Sequence, residues 1–361
     1  TRPLMPRSIV ELTPNPFLSL FAYYWAVRKL YGQPRFQCSG DLLMDEGVAD
    51  LTRWERAKEV LRIAYTLPFV LASVVGVSFA LTMSQEWLIA LLIPLDVLFL
   101  ALFVNFSNDY FDHKSGVDKL RFDTDSDPEL QRELFELFDQ KLFWSGNSLD
   151  RGIITEKQGK LLMTALVICI VTLAIPIILY GGWTIIILGL IGLALAFFYT
   201  APPVNLGARG LGEVDVLISF TMISFFSYFV IVQEFSWTML FLSLAIGTAV
   251  MIMRISDETP GYDSHVKKGE KNLVVRFGLE NVTKIEIILL VLVYTFVALA
   301  AMTDWFFLLL FITLPIPIKA LRLQQKKDRL RFWRPIPLFL KLAVSLQLLT
   351  LVALILRTVT C

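Results

Sequence analysis

Histidine and cysteine are scarce in this chain. Of 361 residues, two are histidine, His113 and His265, and three are cysteine, Cys38, Cys169 and Cys361. The cysteines are odd in number, far apart and form no C-x-x-C pair, which argues against a disulfide framework or a zinc site. Charge is thin as well. Charged residues make up 18% and the net charge is +1, so the chain lacks the basic excess that draws a protein to nucleic acid. The first sixteen residues are polar and Pro-rich, and no cleavable signal peptide is expected. There is no low-complexity tract and no strong internal repeat.

Apolar residues are what the chain has in excess. They make up 56% of it, against about 45–50% in soluble domains. They also come in blocks, and a nearly uncharged run of about 20 residues is long enough to cross a bilayer as a helix. Nine spans are expected, near 61–82, 87–106, 160–180, 183–199, 213–233, 237–253, 283–302, 305–321 and 336–356. The eighth is the weakest, being short and carrying Pro315 and Pro317. The connections alternate. Those after the odd-numbered spans are tiny and hold no Lys or Arg: Ser84-Gln85-Glu86, Gly181-Gly182, Glu234 to Ser236, and Thr303-Asp304. The others hold nearly all the remaining polar chain, including Lys319, Arg322, Lys326, Lys327, Arg329, Arg331 and Arg334 after the eighth span. The positive-inside rule puts these basic segments in the cytoplasm and the C-terminus outside.

The expected division is an N-terminal cytoplasmic or interfacial segment, 1–59, followed by a nine-helix domain, 60–357, with an extended cytoplasmic loop at 121–158. Residues 16–32 read as interfacial, with Trp25 for the headgroup layer and Arg28 and Lys29 for an anionic leaflet. Residues 128–143 read as a short surface helix opened by Pro128.

Chemistry gathers at two acidic segments. At the end of the second span the sequence runs NFSNDYFDHKSGVDK. Asn105, Asp109 and Asp112 recur at i, i+4, i+7 and share one helical face, with Asn108 and Asp112 forming a further i, i+4 pair and Asp118 following the turn at Gly116. Such a stack repels itself unless a cation sits among it. Hard cations such as Mg²⁺ take oxygen ligands, commonly one or two carboxylates with substrate phosphates. Ionisable groups directly on an apolar span are costly and usually functional. The bland reading is a solvated helix end.

The second segment, after the sixth span, is RISDETPGYDSHVKKGEKNLVVRFG. Asp257, Glu258 and Asp263 supply carboxylates; Lys267, Lys268, Lys271 and Arg276 supply cations. If the second and sixth helices pack together, the two segments can face one another and clamp a diphosphate through Mg²⁺. Arg254, three residues before Asp257, is placed to pair with it. Asp96, mid-span, reads as a neutral packing residue, and Asp215, near the start of the fifth span, as wet.

These residues resemble the UbiA superfamily of intramembrane prenyltransferases. The first segment matches an N-x-x-x-D-x-x-D pattern, and its longer form, N-x-x-N-D-Y-x-D-x-x-x-x-G-x-D, is similar to 1,4-dihydroxy-2-naphthoate prenyltransferases. YTAPPVNLGARGLGE, Tyr199 to Glu213, resembles the loop after the family's fourth helix. The ending G-x-K-x-L-x-V-R-x-G is matched by Gly269, Lys271, Leu273, Val275, Arg276 and Gly278, and LRIAYTLP matches an Arg-x-x-x-Thr-Leu-Pro start with Arg62, Thr66 and Pro68. The likeness covers about residues 55–357. The second motif departs from it: Asp257 matches, but Gly261 and His265 stand where relatives often carry Asp, and Asp263 falls where many have Glu. His265 is either a phosphate or metal contact or a lost ligand.

The resemblance implies an all-α membrane protein, a UbiA-like bundle of nine transmembrane helices with cytoplasmic acidic loops after helices two and six. It implies transfer of a prenyl group from a polyprenyl diphosphate to a small lipophilic acceptor, an aromatic quinone precursor, within the bilayer and with Mg²⁺ as cofactor. Asn108, Asp109, Asp112, Asp118 and Asp257 would then hold metal. Asn105, Asn108, Arg62, Lys119, Lys267, Lys271, Asp263 and His265 would contact the diphosphate. Asp109, Asp112, Asp257 and Tyr199 would be the catalytic set, with the Tyr199 hydroxyl or ring beside the allylic cation. An interfacial anchor is the alternative for Tyr199. The same cation chemistry can also end in terpenoid cyclisation or an archaeal-type glycerol ether lipid. A transporter or scaffold fits less well, because transporters place ionisable groups near the midplane.

Overall fold

The computed structural model describes residues 52–115, 147–199, 201, 203–326 and 328–360. Segments 16–32 and 128–143 lie outside them. The described elements are helical throughout: α1 (Arg53–Leu61), α2 (Leu67–Leu81), α3 (Trp87–Ser115), α4 (Glu156–Gly181), α5 (Trp183–Phe198), α6 (Gly212–Val232), α7 (Trp237–Glu258), α8 (Tyr262–Lys268), α9 (Leu273–Phe277), α10 (Leu279–Thr303), α11 (Pro315–Gln324) and α12 (Ile336–Thr360). Short 3₁₀ segments at Ile63–Thr66, Thr259–Gly261 and Trp305–Thr313 and a π-helical turn at Gly207–Leu211 link some of them.

Local chemistry sets the ends. Thr52 caps α1 by accepting from the Glu55 amide while the Glu55 carboxylate accepts from the Thr52 amide, and Thr155 and Gln158 repeat this box at α4. The first expected span is not one helix. α1 stops at Arg62, whose backbone is left-handed (φ 46°, ψ 48°), and the apolar helix begins only at Leu67. Pro68 explains the break: it has no N–H for the carbonyl of residue 64, so it suits the first turn of a new helix. Pro315 and Pro317 act likewise on the eighth span. They leave Phe311 and Thr313 without i+4 donors, and the chain upstream winds as a 3₁₀ helix before α11 begins.

Seven described helices are long and apolar enough to cross a membrane: Trp87–Lys114, Glu156–Gly181, Arg209–Val232, Trp237–Gly261, Leu279–Thr303, Trp305–Gln324 and Ile336–Thr360. The two remaining expected spans are the shorter apolar helices α2 and α5.

α6 sits between α2 and α7, and α7 packs in turn on α10 and α12. α3 rests on α2 and carries α4 on its other side. Apolar attraction does little between helices when the surroundings are lipid tails, so close backbone approach at small residues takes over. A Cβ on Gly76 of α2 would lie 2.2 Å from the Ser224 carbonyl oxygen on α6, and one on Gly247 of α7 would lie 2.6 Å from that of Leu217. Those contacts tolerate no side chain. α4 and α5 line the periphery and show apolar residues outward, Leu179 being 81% exposed. A helix apolar on its exposed side belongs in hydrocarbon.

Candidate active site

The first acidic segment is the last part of α3. It stays helical through Ser115, so Asn105, Asn108, Asp109 and Asp112 do share one helix. Asp109 is 1% exposed, and the partner that faces it is Arg62: Nη2 lies 2.6 Å from Oδ1. The left-handed backbone at Arg62 turns the chain between α1 and the 3₁₀ segment, both of which pack on α3, and aims the guanidinium at this carboxylate. Non-glycine residues rarely adopt that conformation, and strain of this kind gathers at functional sites.

A polar cradle surrounds the end of α3. The Asn147 side-chain amide donates to the Asp109 carbonyl at 2.7 Å. His113 Nδ1 is 2.6 Å from Asp150, Lys114 Nζ is 2.6 Å from Glu156, and Arg151 Nη1 is 2.9 Å from Glu59. The turn before α4 is thereby tied to both α3 and α1. Sequence reasoning assigned none of Glu59, Asn147, Asp150 or Arg151; they carry no motif and come together only through folding.

The second acidic segment is not a loop. α7 continues to Glu258, then come the 3₁₀ turn, α8 and α9. Arg254 reaches Asp257 Oδ2 at 3.4 Å, the expected i, i+3 pair, and also Glu258 one residue on. Its guanidinium lies 5.8 Å from the centre of the Tyr199 ring. That ring stands against Gly207 and Gly212: a Cβ on Gly212 would be 3.5 Å from its hydroxyl. The charges that act on the phenol are Arg254, Glu258, Glu213 and Asp215. Its surroundings are therefore charged and polar. Asp215, expected to be wet, is not. It is 6% exposed, and its Oδ1 has no hydrogen-bond partner among the described residues.

The Tyr199–Glu213 stretch and the second acidic segment form one unit. Glu213 Oε1 accepts from the Leu273 amide at 2.9 Å and so anchors the start of α9. Gly210, at φ +83°, lets its backbone press on Lys271, whose carbonyl oxygen would be 2.1 Å from any Cβ there. Glu213 and Gly210 both belong to the motif read in sequence; their joint role, holding one segment to the other, is visible only in the fold.

His265 is not turned outward. Its Nδ1 is 2.5 Å from Glu270 and its Nε2 is 2.7 Å from Glu258. Lys267, Lys271 and Asp263 are exposed. Asp118 and Lys119 lie outside the described residues. The helices bearing the two acidic segments, α3 and α7, both pack on α2 and α6, and the extensive contacts of each are with other neighbours rather than with one another.

The donors on α3 suit a hard divalent cation: two carboxylates and two amides, all able to offer oxygen. The Asn105 side-chain nitrogen is buried with no hydrogen-bond partner among the described residues, and a half-turn of that amide would offer its oxygen instead. Arg62 already occupies Asp109 Oδ1, so this carboxylate would be shared between guanidinium and metal.

An apolar helix bundle of this kind, with its carboxylates, guanidinium and ammonium groups gathered at helix ends, is an integral membrane protein. The chain belongs to the UbiA prenyltransferase family, which matches it over residues 67–343. It is 28% identical over 144 residues to the 2-carboxy-1,4-naphthoquinone phytyltransferase of Synechocystis sp., a match covering 39% of this chain and about half, 47%, of that relative. It is 19% identical over 280 residues to the 1,4-dihydroxy-2-naphthoate octaprenyltransferase of Bacillus subtilis, covering 74% and 80%. In fold it is similar to a UbiA homolog from Archaeoglobus fulgidus bound to DMAPP and Mg²⁺, with TM-score 0.58 and 17% identity over 81% of this chain and 98% of that one. It is also similar to a structure of digeranylgeranylglyceryl phosphate synthase, with TM-score 0.55 and 16% identity over 84% and 98%.

Proposed function

We propose that this chain transfers a prenyl group from a polyprenyl diphosphate to an aromatic quinone-precursor acceptor within the membrane, with Mg²⁺ as cofactor. The observation that carries the reading is Asp109: a buried carboxylate, held by Arg62, at the end of an apolar helix that also bears Asn105, Asn108 and Asp112. Buried charge is costly and persists where it has work to do. The naphthoquinone- and naphthoate-directed relatives favour a bicyclic aromatic acceptor.

Asn108, Asp109, Asp112, Asp118 and Asp257 hold the cation in this reading. Bound there, a divalent cation would supply Lewis-acid stabilisation of the negative charge on the diphosphate leaving group. Arg62, Lys119, Lys267 and Lys271 set positive charge against the remaining phosphate oxygens, which is the main electrostatic contribution of the protein to the departing anion. Asn105 orients the same group, and Asp263 borders it. Tyr199, beside Arg254, lends its ring to the allylic cation. The prenyl tail lies between helices and never enters water.

In the same reading the nine apolar helices all cross the bilayer, the two short ones included. The polar segments after the second and sixth spans face the cytoplasm and the C-terminus faces outward. Residues 1–59 are a separate cytoplasmic or interfacial segment, 60–357 the catalytic domain and 121–158 its extended loop.

The test is Mg²⁺-dependent diphosphate release by the protein in lipid nanodiscs, with prenyl diphosphates of graded length and 1,4-dihydroxy-2-naphthoate as acceptor. Asp109→Ala is expected to abolish release. No turnover with any acceptor, together with undiminished diphosphate binding by Asp109→Ala, would reject the reading. A second reading rests on Gly261 and His265: the cation ends in cyclisation or in a glycerol ether lipid. A product mass lacking the aromatic acceptor decides for it.

A further inference from the structure

We propose that His265 is a tethered cation: its imidazolium, lodged between Glu258 and Glu270 in the space left by Gly261, closes the segment from Glu258 to Asn272 in place of a metal ion and fixes the base from which Lys267 and Lys271 project. The functional part of this rests on the prenyl-diphosphate reading above.

The contacts interlock. Nδ1 meets Glu270 Oε2 at 2.5 Å, and Nε2 meets Glu258 Oε2 at 2.7 Å, off the line of its N–H and so an ion pair rather than a straight hydrogen bond. Glu258 is gripped from three sides, by His265, by Arg254 one turn back on α7, and by the Asn272 amide at 3.3 Å. Gly269, left-handed at φ +72°, ends α8 and turns the chain back, and the Glu270 amide donates to the His265 carbonyl at 3.0 Å. That return brings the Glu270 carboxylate over the ring.

Gly261 and His265 are coupled by shape. A Cβ on Gly261 would lie 2.6 Å from His265 Nε2 and 3.0 Å from Cδ2. The ring occupies the volume that any side chain at position 261 would need, so the two departures from the acidic pattern are one structural change.

Glu258, His265 and Glu270 could be taken for a metal site, since one donor atom from each lies within 4.8 Å of the others. The distances argue otherwise. A zinc-like ion held by a ring nitrogen at about 2.0 Å and a carboxylate oxygen at about 2.1 Å would separate those atoms by about 3.4 Å at a tetrahedral angle. Separations of 2.5 and 2.7 Å are too short for two ligands of one ion and are those of charged partners in direct contact. Both ring nitrogens face carboxylates, which suits the doubly protonated ring. Within this set the carboxylates of Glu258 and Glu270 already face His265, and Arg254, shared with Asp257, adds positive charge at Glu258. Lys267 and Lys271, exposed on either side of the staple, then keep their positions whether or not metal is present.

The full chain in nanodiscs is titrated with Mn²⁺ or Zn²⁺, and bound ions are counted by electron paramagnetic resonance or elemental analysis. His265→Gln is expected to bind as many ions as the wild type, and His265→Asp one more, because three carboxylates then face each other. Loss of an ion in His265→Gln would overturn the proposal. For positioning, His265→Gln and Glu270→Gln are expected to raise KM for a prenyl diphosphate about tenfold with kcat within about threefold; an unchanged KM in both sinks that part. Should these variants fail to fold, hydrogen exchange at the Glu270 amide of the wild type still decides: protection indifferent to EDTA supports the staple, and protection lost with EDTA refutes it. If no prenyl diphosphate is turned over at all, the functional reading fails while ion counts and exchange continue to judge the staple.

Discussion

Arg62 and Asp109 form an ion pair of 2.6 Å across two elements, with the carboxylate buried and the guanidinium partly exposed. The pair joins a strained turn before the first apolar helix to the polar end of another.

Removing one partner leaves a buried charge uncompensated. Arg62→Ala is expected to lose about 2 kcal/mol, reduced from the range for fully buried pairs because the guanidinium is partly solvated. Arg62→Gly breaks the same pair but relieves the left-handed backbone, so it should unfold at a higher temperature than Arg62→Ala. Thermal unfolding in detergent ranks the two. Equal loss would mean that the turn carries no strain.

Gly210 holds a position that needs both a positive φ and no side chain. Gly210→Ala is expected to drive the Tyr199–Glu213 stretch away from Lys271 and to cost more than about 2 kcal/mol, through backbone strain and overpacking together. Loss of protection at the Leu273 amide, which Glu213 anchors, is the hydrogen-exchange signature to look for. An intact Leu273 amide in the variant would contradict the coupling.

His265 ties stability to pH. Burial lowers the pKa of its ring, but the close contacts and charge of Glu258 and Glu270 outweigh this and raise it from 6.5 to about 9. A histidine pKa raised on folding adds stability that is complete below the unfolded value and is lost as pH climbs through the folded one. The window is therefore pH 6.5 to about 9, and the amount at most about 3 kcal/mol. Thermal melts of wild type should decline across this window and those of His265→Gln should stay flat. Parallel declines in the two proteins would rule out the histidine as the source.

Tyr199 is set between loop glycines and Arg254. If its ring rather than its hydroxyl supports the allylic cation, Tyr199→Phe keeps kcat within about threefold while Tyr199→Leu lowers it by about a hundredfold, near 2.7 kcal/mol of barrier. Steady-state kinetics with a prenyl diphosphate separates the cases. A large loss in Tyr199→Phe would assign the role to the hydroxyl.

Sequence alone determined the material of this protein. Apolar runs separated by alternately empty and basic connections can only be membrane helices, because backbone polar groups in hydrocarbon must bond within their own segment. It also determined the chemistry on offer, since Asn105, Asn108, Asp109 and Asp112 share a helical face by spacing alone. The folded structure decided the rest. Arg62 is 47 residues from Asp109 in the numbering, and no periodicity couples them; only the left-handed turn and the packing of α3 do. Local spacing did foresee Arg254 with Asp257, because i, i+3 neighbours on one helix meet whatever the fold. It gave no hint that Glu258 and Glu270 would close on His265, or that Glu213 would anchor the start of α9. Those pairings depend on where a chain reverses at Gly269 and how closely Gly210 and Gly261 let backbone and ring approach. Such distances are set by packing in three dimensions, and a linear pattern of residues does not encode them in any readable form.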